Sequence, residues 1–244
     1  MTNQAIIIIG ASSTIAKAFV REQHKRYPQH LIITISRSDI EDFDEHFKGQ
    51  HQHIICDNSP WEIARITNEL ASFIAQAQSI TIFNGQLHDA NFKPEKRLED
   101  IQSEYLQWLF KVNTITPLLW LKGVGVHLNH HSKCVLTCLS ARVASIDDNQ
   151  LGGWYGYRAS KAALNMAVKT VAIELARRAK HCKCVLFHPG TTDTPLSEPF
   201  QSNVPEDKLF DPEFVAKQLS NLITQRIADG QIDYIDWQGK TINW

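Results

Sequence analysis

The run AIIIIG at residues 5–10 is unbroken and apolar, with no polar residue at every second position. A strand with one wet face alternates, so this one is buried on both faces, as in a parallel sheet covered by helices. The pattern returns as LIITIS at 31–36, HIIC at 53–56, SITIFN at 79–84, KCVLTCLS at 133–140 and CKCVLFHPG at 182–190, with QIDYIDW closing the chain. Between the runs lie stretches that read as helices, at about 13–27, 60–77, 101–129, 152–180 and 212–229. Strand–helix alternation forces right-handed crossovers, so the predicted fold is α/β: a single-domain, Rossmann-like doubly wound parallel sheet over residues 1–244. Ligands of such sheets sit beyond the carboxyl ends of the strands, and that is where chemistry is sought.

Composition removes several alternatives. The 244 residues carry a net charge of −1, with 43% apolar and 21% charged residues, so no global field draws the chain to nucleic acid or a membrane surface. The apolar start is shorter than a spanning helix and has no basic leader; together with five unevenly spaced cysteines this predicts a cytoplasmic protein with reduced thiols. Eleven histidines invite a metal, but no His-Glu-x-x-His occurs and Cys182 and Cys184 stand without a second pair. Surface histidines, buried thiols and no metal are expected.

The strand ends suit a nucleotide. GASSTIA at 10–16 turns at Gly10 into a helix, where Ser12, Ser13, Thr14 and Ile15 bring hydroxyl or N–H groups toward a phosphate. Taken alone, that turn is equally a structural one. Arg37, just after the second strand, suits a 2′-phosphate and points to NADP(H) over NAD(H), although Asp39 and Glu41 follow. Asp57-Asn58 offers an adenine partner or merely opens a helix, and Asn84-Gly85 is a close-approach turn.

The helix after the fifth strand, in GGWYGYRASKAALNM, places Tyr157 and Lys161 four apart on one face. A phenol titrating near 10 is a poor acid at neutral pH, and a nearby ammonium lowers it. Beyond its first turns the helix is apolar on nearly every side, so more than one surface must cover it.

This arrangement resembles the short-chain dehydrogenase/reductase family, and its C-factor-type branch, along nearly the whole chain. The residues that carry the resemblance are Gly10, Asp57, Asn84-Gly85, Asn113 in KVNTITP, Tyr157 and Lys161 in YGYRASK, and HPGTTDTP at 188–195. The resemblance implies hydride transfer between NAD(P)(H) and a small carbonyl or alcohol. Tyr157 is then the general acid/base, Lys161 binds the ribose, and Asn113 holds a water between Lys161 and solvent. Pro189, Gly190, Thr192 and Thr194 clamp the nicotinamide, and about 195–208 forms a mobile substrate loop. It also implies a homodimer or homotetramer through the helix of Trp108, Leu109, Phe110 and Trp120 and the helix that follows.

Three departures stand out. Thr14 and Ala16 replace glycines of the nucleotide turn, IFNG replaces Asn-Asn-Ala-Gly, and Ala141 stands where the substrate-orienting serine belongs. Ser140, one residue early, serves only with a register shift or bulge, and Ser145 is a further candidate. The readings in competition are therefore a carbonyl reductase or alcohol dehydrogenase, a cofactor-binding regulatory or signalling protein with little catalysis, and a nucleotide-free structural relative.

Overall fold

The computed structural model describes residues 4–40 and 50–244; Glu41 lies outside them. The chain runs β1 (Ala5–Ile9), α1 (Thr14–Arg26), β2 (Leu31–Ser36), β3 (His51–Ile55), α2 (Pro60–Glu69), α3 (Ala71–Ala75) and β4 (Ser79–Ile82). It continues through α4 (Ser103–Phe110), α5 (Thr116–Gly125), β5 (Val135–Leu139), α6 (Tyr155–Arg178) and β6 (Lys183–His188). The two-residue strands β7 (Thr191–Thr192) and β8 (Leu209–Phe210), then α7 (Pro212–Thr224) and β9 (Ile232–Asp236), complete it. Seven strands pair in the order β3-β2-β1-β4-β5-β6-β9, all parallel, as the apolar runs require.

Strand parity builds two cores. Ile7, Ile9, Ile80 and Leu136 face α2, α5 and α6 on one side; Ile6, Ile8 and Phe187 face α1 and α7 on the other. The order reverses between β1 and β4, which opens a crevice at their carboxyl ends.

Three of the expected helices differ from the sequence reading. Residues 60–77 form two helices that meet at Leu70, after Thr67 Oγ1 has bonded back to the Ile63 carbonyl. The last helix stops at Thr224 rather than 229, as the Gln225 and Arg226 N–H groups tighten to carbonyls three residues back. The stretch 101–129 is helical only from Ser103 to Gly125, and it widens into a π turn at Lys111–Ile115. Pro117 explains the widening: it has no N–H for the Asn113 carbonyl, so the regular ladder fails there. Two of the residues expected at an interface on this helix point inward. Leu109 and Trp120 are fully buried in the protein's own cores, and the Trp120 indole N–H donates to Asn58 Oδ1 at 2.9 Å. All five cysteines are buried free thiols.

Candidate active site

At the switch point the structure holds a cavity of about 660 Å³, within the usual range for small-molecule sites. Gly10, Ser12, Ser13, Arg37, Asp57, Asn58, Asn84 and Gly85 all line it. Gly10 has φ +78°, and a Cβ there would stand 3.1 Å from the Asn84 nitrogen, so the turn admits only glycine. The first turn of α1 presents Thr14 and Ile15, whose N–H groups have no intrahelical acceptor. Ser13 Oγ instead caps the helix by accepting from Ala16 N–H at 3.3 Å. Arg37 is exposed at the end of β2. Asp57 Oδ1 accepts from Ser59 N–H at 2.7 Å, and Trp120 engages Asn58, so both residues serve the entry to α2 as well as the cavity wall.

The far wall carries the lysine. Lys161 is 3% exposed and its Nζ donates to the Leu139 carbonyl at 3.0 Å and the Asn84 carbonyl at 3.4 Å. Burial pulls its pKa down to about 8. A Cβ on Gly85, which lines the cavity, would meet Lys161 Nζ at 2.9 Å, so the lysine lies close behind this wall. Asn113 lies in the π turn, fully buried. Its Oδ1 accepts from Gln86 N–H at 2.8 Å, and its Nδ2 donates to the Gln86 carbonyl at 2.9 Å and Ser160 Oγ at 3.0 Å. That clamp fixes the loop after β4 to α6.

Two expectations for Tyr157 are corrected. The phenol does not border the open cavity; it sits 8% exposed among Leu87, Tyr105, Leu109 and Ala141, under Trp154, Leu196 and Phe200. Its pKa is raised rather than lowered, first by burial and then by the nearby Tyr234, because Lys161 is turned to backbone carbonyls.

The serine question resolves by parity. Ser140 lies on the α6 side of its strand with Cys138 and Leu136, and its Oγ donates to Asn165 Oδ1 at 2.6 Å. Ala141 joins the Tyr157 cluster. Ser145 Oγ accepts from Asp148 N–H at 3.1 Å and faces the Trp244 carbonyl.

Past β6, Pro189 and Gly190 lead into β7, and Thr194 Oγ1 donates to the Thr192 carbonyl at 3.3 Å. Two buried oxygens, Asn84 Oδ1 in the cavity wall and Thr192 Oγ1 after β6, have no hydrogen-bond partner among the described residues. Orphans of this kind fit a polar ligand that satisfies them, and Asn84 stands beside the glycine turn and the Lys161 ammonium.

Sequence reasoning missed Glu95, which is 1% exposed although it lies in the charged run KPEKRLED. Its carboxylate accepts from Gly156 N–H at 3.1 and 3.3 Å and its carbonyl from Trp154 N–H at 2.6 Å. It thereby fixes the start of α6, one residue before Tyr157.

A doubly wound parallel sheet, a left-handed glycine turn and a lysine behind the switch-point crevice define a nucleotide-binding protein of the Rossmann-like class. The chain belongs to the short-chain dehydrogenase family of oxidoreductases: that family's model matches residues 4–205. Relatives include benzil reductase ((S)-benzoin forming) of Bacillus cereus, 27% identical over 59% of this chain and 63% of that protein, so the match spans under two thirds of its length. C-signal of Myxococcus xanthus is 29% identical over 60% of this chain and 83% of that protein. A short-chain dehydrogenase/reductase from Burkholderia multivorans, solved with bound NADP, superposes with a TM-score of 0.83 at 19% identity, over 99% of this chain and 100% of that one. Among the described residues no helix is long and apolar enough to cross a membrane.

Proposed function

We propose that the protein is an NADPH-preferring carbonyl reductase of the cytoplasm. On this reading it acts as one dinucleotide-binding domain, with 195–208 as a mobile cover over the substrate. The observation that carries the reading is Lys161, a buried ammonium that donates to backbone carbonyls, one turn from Tyr157 and behind Gly85 of the cavity wall. A charge placed that way is costly unless a bound ligand uses it.

The dinucleotide, when bound, supplies hydride to a carbonyl carbon. Tyr157 gives its phenolic proton to the carbonyl oxygen, and the pair of transfers yields an alcohol. Lys161 holds ribose hydroxyls and stabilises the phenolate left behind, which lowers the Tyr157 pKa from its value in the unliganded chain. Asn113 fixes the loop and helix that carry the lysine and keeps a water path to it. Arg37 answers a 2′-phosphate, Asn84 and Thr192 gain their missing partners, and Pro189, Gly190 and Thr194 shape the clamp. NADP in the Burkholderia multivorans protein and the carbonyl substrate in the name of benzil reductase support this reading.

Tyr157→Phe is expected to reduce NADPH-linked turnover of aldehydes at least a thousandfold while the calorimetric affinity for NADPH stays within threefold. Retained turnover removes Tyr157 from the chemistry. The alternative, a cofactor-binding regulator with weak catalysis, is favoured by Ala141 at the serine position and has a relative in C-signal. Wild-type turnover below one per hour on a broad aldehyde and ketone panel, with NADPH bound, selects it.

A further inference from the structure

The reductase reading leaves the substrate open, and the cover over Tyr157 narrows it. Gly152, Gly153 and Trp154 are three successive residues with φ of +65°, +64° and +51°. The first two are glycines and adopt this freely; a tryptophan there is strained, and strain of that kind collects at functional sites. The surroundings hold it in place. Trp154 N–H donates to the Glu95 carbonyl, while Arg158 donates from Nε to the Gly153 carbonyl at 2.9 Å and from Nη2 to the Gly152 carbonyl at 3.0 Å.

The result of this strapping is the placement of one indole. The Trp154 ring stands edge-on to Tyr157, with centroids 6.1 Å apart and planes at 79°, and edge-on to Phe200 at 5.0 Å and 62°. The His88 ring meets Phe200 edge-on from another side, at 5.7 Å and 69°. Edge-to-face contact at these separations is the geometry that aromatic quadrupoles prefer. The slot beside the general acid thus already accepts a phenyl ring, and the ring now in it is the protein's own.

Phe200 comes from the loop that follows β7. It sits on a short 3₁₀ turn between the exposed Pro199 and the half-buried Gln201. The turn's side-chain tethers run from Gln201 Nε2, to Asp193 Oδ1 at 3.0 Å and Ser197 Oγ at 2.9 Å. Ser197 Oγ donates in turn to the Thr192 carbonyl at 2.5 Å, so an aryl group takes this place only when the turn carrying Phe200 moves. Ala141 adds a methyl group, in place of a hydroxyl, to the same wall.

We propose, resting on the reductase reading, that the substrates are carbonyl compounds bearing an aryl group, whose ring replaces Phe200 against Trp154 while the carbonyl oxygen lies at Tyr157. Aryl recognition is carried by Trp154, a specificity-determining residue.

Benzaldehyde and cyclohexanecarbaldehyde are of similar size and differ in the aromatic face. The ratio of their kcat/KM values with NADPH is read in the wild type, Trp154→Leu and Phe200→Ala. Calorimetry with benzyl alcohol and cyclohexylmethanol provides a readout that needs no turnover. The wild type is expected to favour the aryl partner at least tenfold in kcat/KM and fivefold in affinity. Trp154→Leu is expected to cut both ratios at least fivefold, and Phe200→Ala, which empties the slot, to tighten benzyl alcohol at least threefold. Aryl preference in binding without NADPH oxidation by either aldehyde overturns the reductase reading and leaves the slot standing. Turnover of both aldehydes without preference, or a preference unchanged in Trp154→Leu, overturns the aryl slot and leaves the reductase. If Trp154→Leu does not fold, the Phe200→Ala affinity decides.

Discussion

Lys161 shows how a single residue trades stability for function. Its ammonium sits 3% exposed with two backbone carbonyls as its hydrogen-bond acceptors, and its pKa falls from 10.5 to about 8. A lysine whose folded pKa lies below its unfolded one destabilises the native state wherever both forms are charged. Here that is below pH 8, at a cost of about 3 kcal/mol by linkage. Between pH 8 and 10.5 the unfolded chain still binds the proton and the folded one has released it, so stability rises with pH and the cost disappears. Lys161→Met removes the titration while keeping an apolar stem of similar length. The unliganded variant is expected to melt a few degrees above the wild type at pH 7, with the gap closing by pH 10.5, and to lose turnover. A gap independent of pH, or a lower melting temperature at pH 7, shows that the ammonium is not a buried cost.

At the scale of elements, strand parity decides what meets the tyrosine. Residues 134, 136 and 138 face α5 and α6, and Ser140 continues that face to Asn165; Ala141 therefore takes the Tyr157 side. The alternation was legible in the sequence, as were the strands, the helix that carries Tyr157 and Lys161, and the Gly10 turn, because each follows from a local period or a local steric demand. The π turn at Lys111–Ile115 was hidden, since Pro117 after KVNTI marks a disturbance but not its form. Glu95 was hidden for another reason: nothing local separates a carboxylate that caps a distant helix from one in solvent. The raised Tyr157 pKa depends on burial by side chains from distant parts of the chain and on Tyr234, which no spacing reveals. Parity also supplies a gain-of-function test. Ala141→Ser places a hydroxyl on the wall that holds Tyr157, and a single oxyanion donor is worth about 2–4 kcal/mol in related chemistry. The variant is expected to raise kcat for aldehyde reduction at least tenfold with KM changed less than threefold. An unchanged kcat means that Ala141 does not face the substrate oxygen.

For the whole molecule the question is what covers the outer face of α5 and α6. The inner faces are full, with Trp120, Leu121, Leu164 and Val168 at or near zero exposure. Outside, Met166 and Ile173 lie two turns apart on α6 at 65% and 52% exposure, and Ile115 and Leu118 stand 51% and 39% exposed at the start of α5. Apolar residues grouped on packed neighbouring helices mark an interaction surface more than scattered ones do. The partner we propose is a second copy of this chain, in a dimer or tetramer. A two-fold contact is isologous, so every substitution in it acts twice. Met166→Glu with Ile173→Glu then brings four carboxylates into one apolar interface without counter-ions, and unpaired charges in such a place are strongly destabilising. The wild type is expected to scatter light as a dimer or tetramer at micromolar concentration. The double variant is expected to run as a folded monomer, its dimer dissociation constant raised at least a hundredfold. NADPH affinity measured on the monomer separates loss of assembly from loss of the site. A wild type that is itself monomeric ends the proposal, and so does a double variant that remains dimeric.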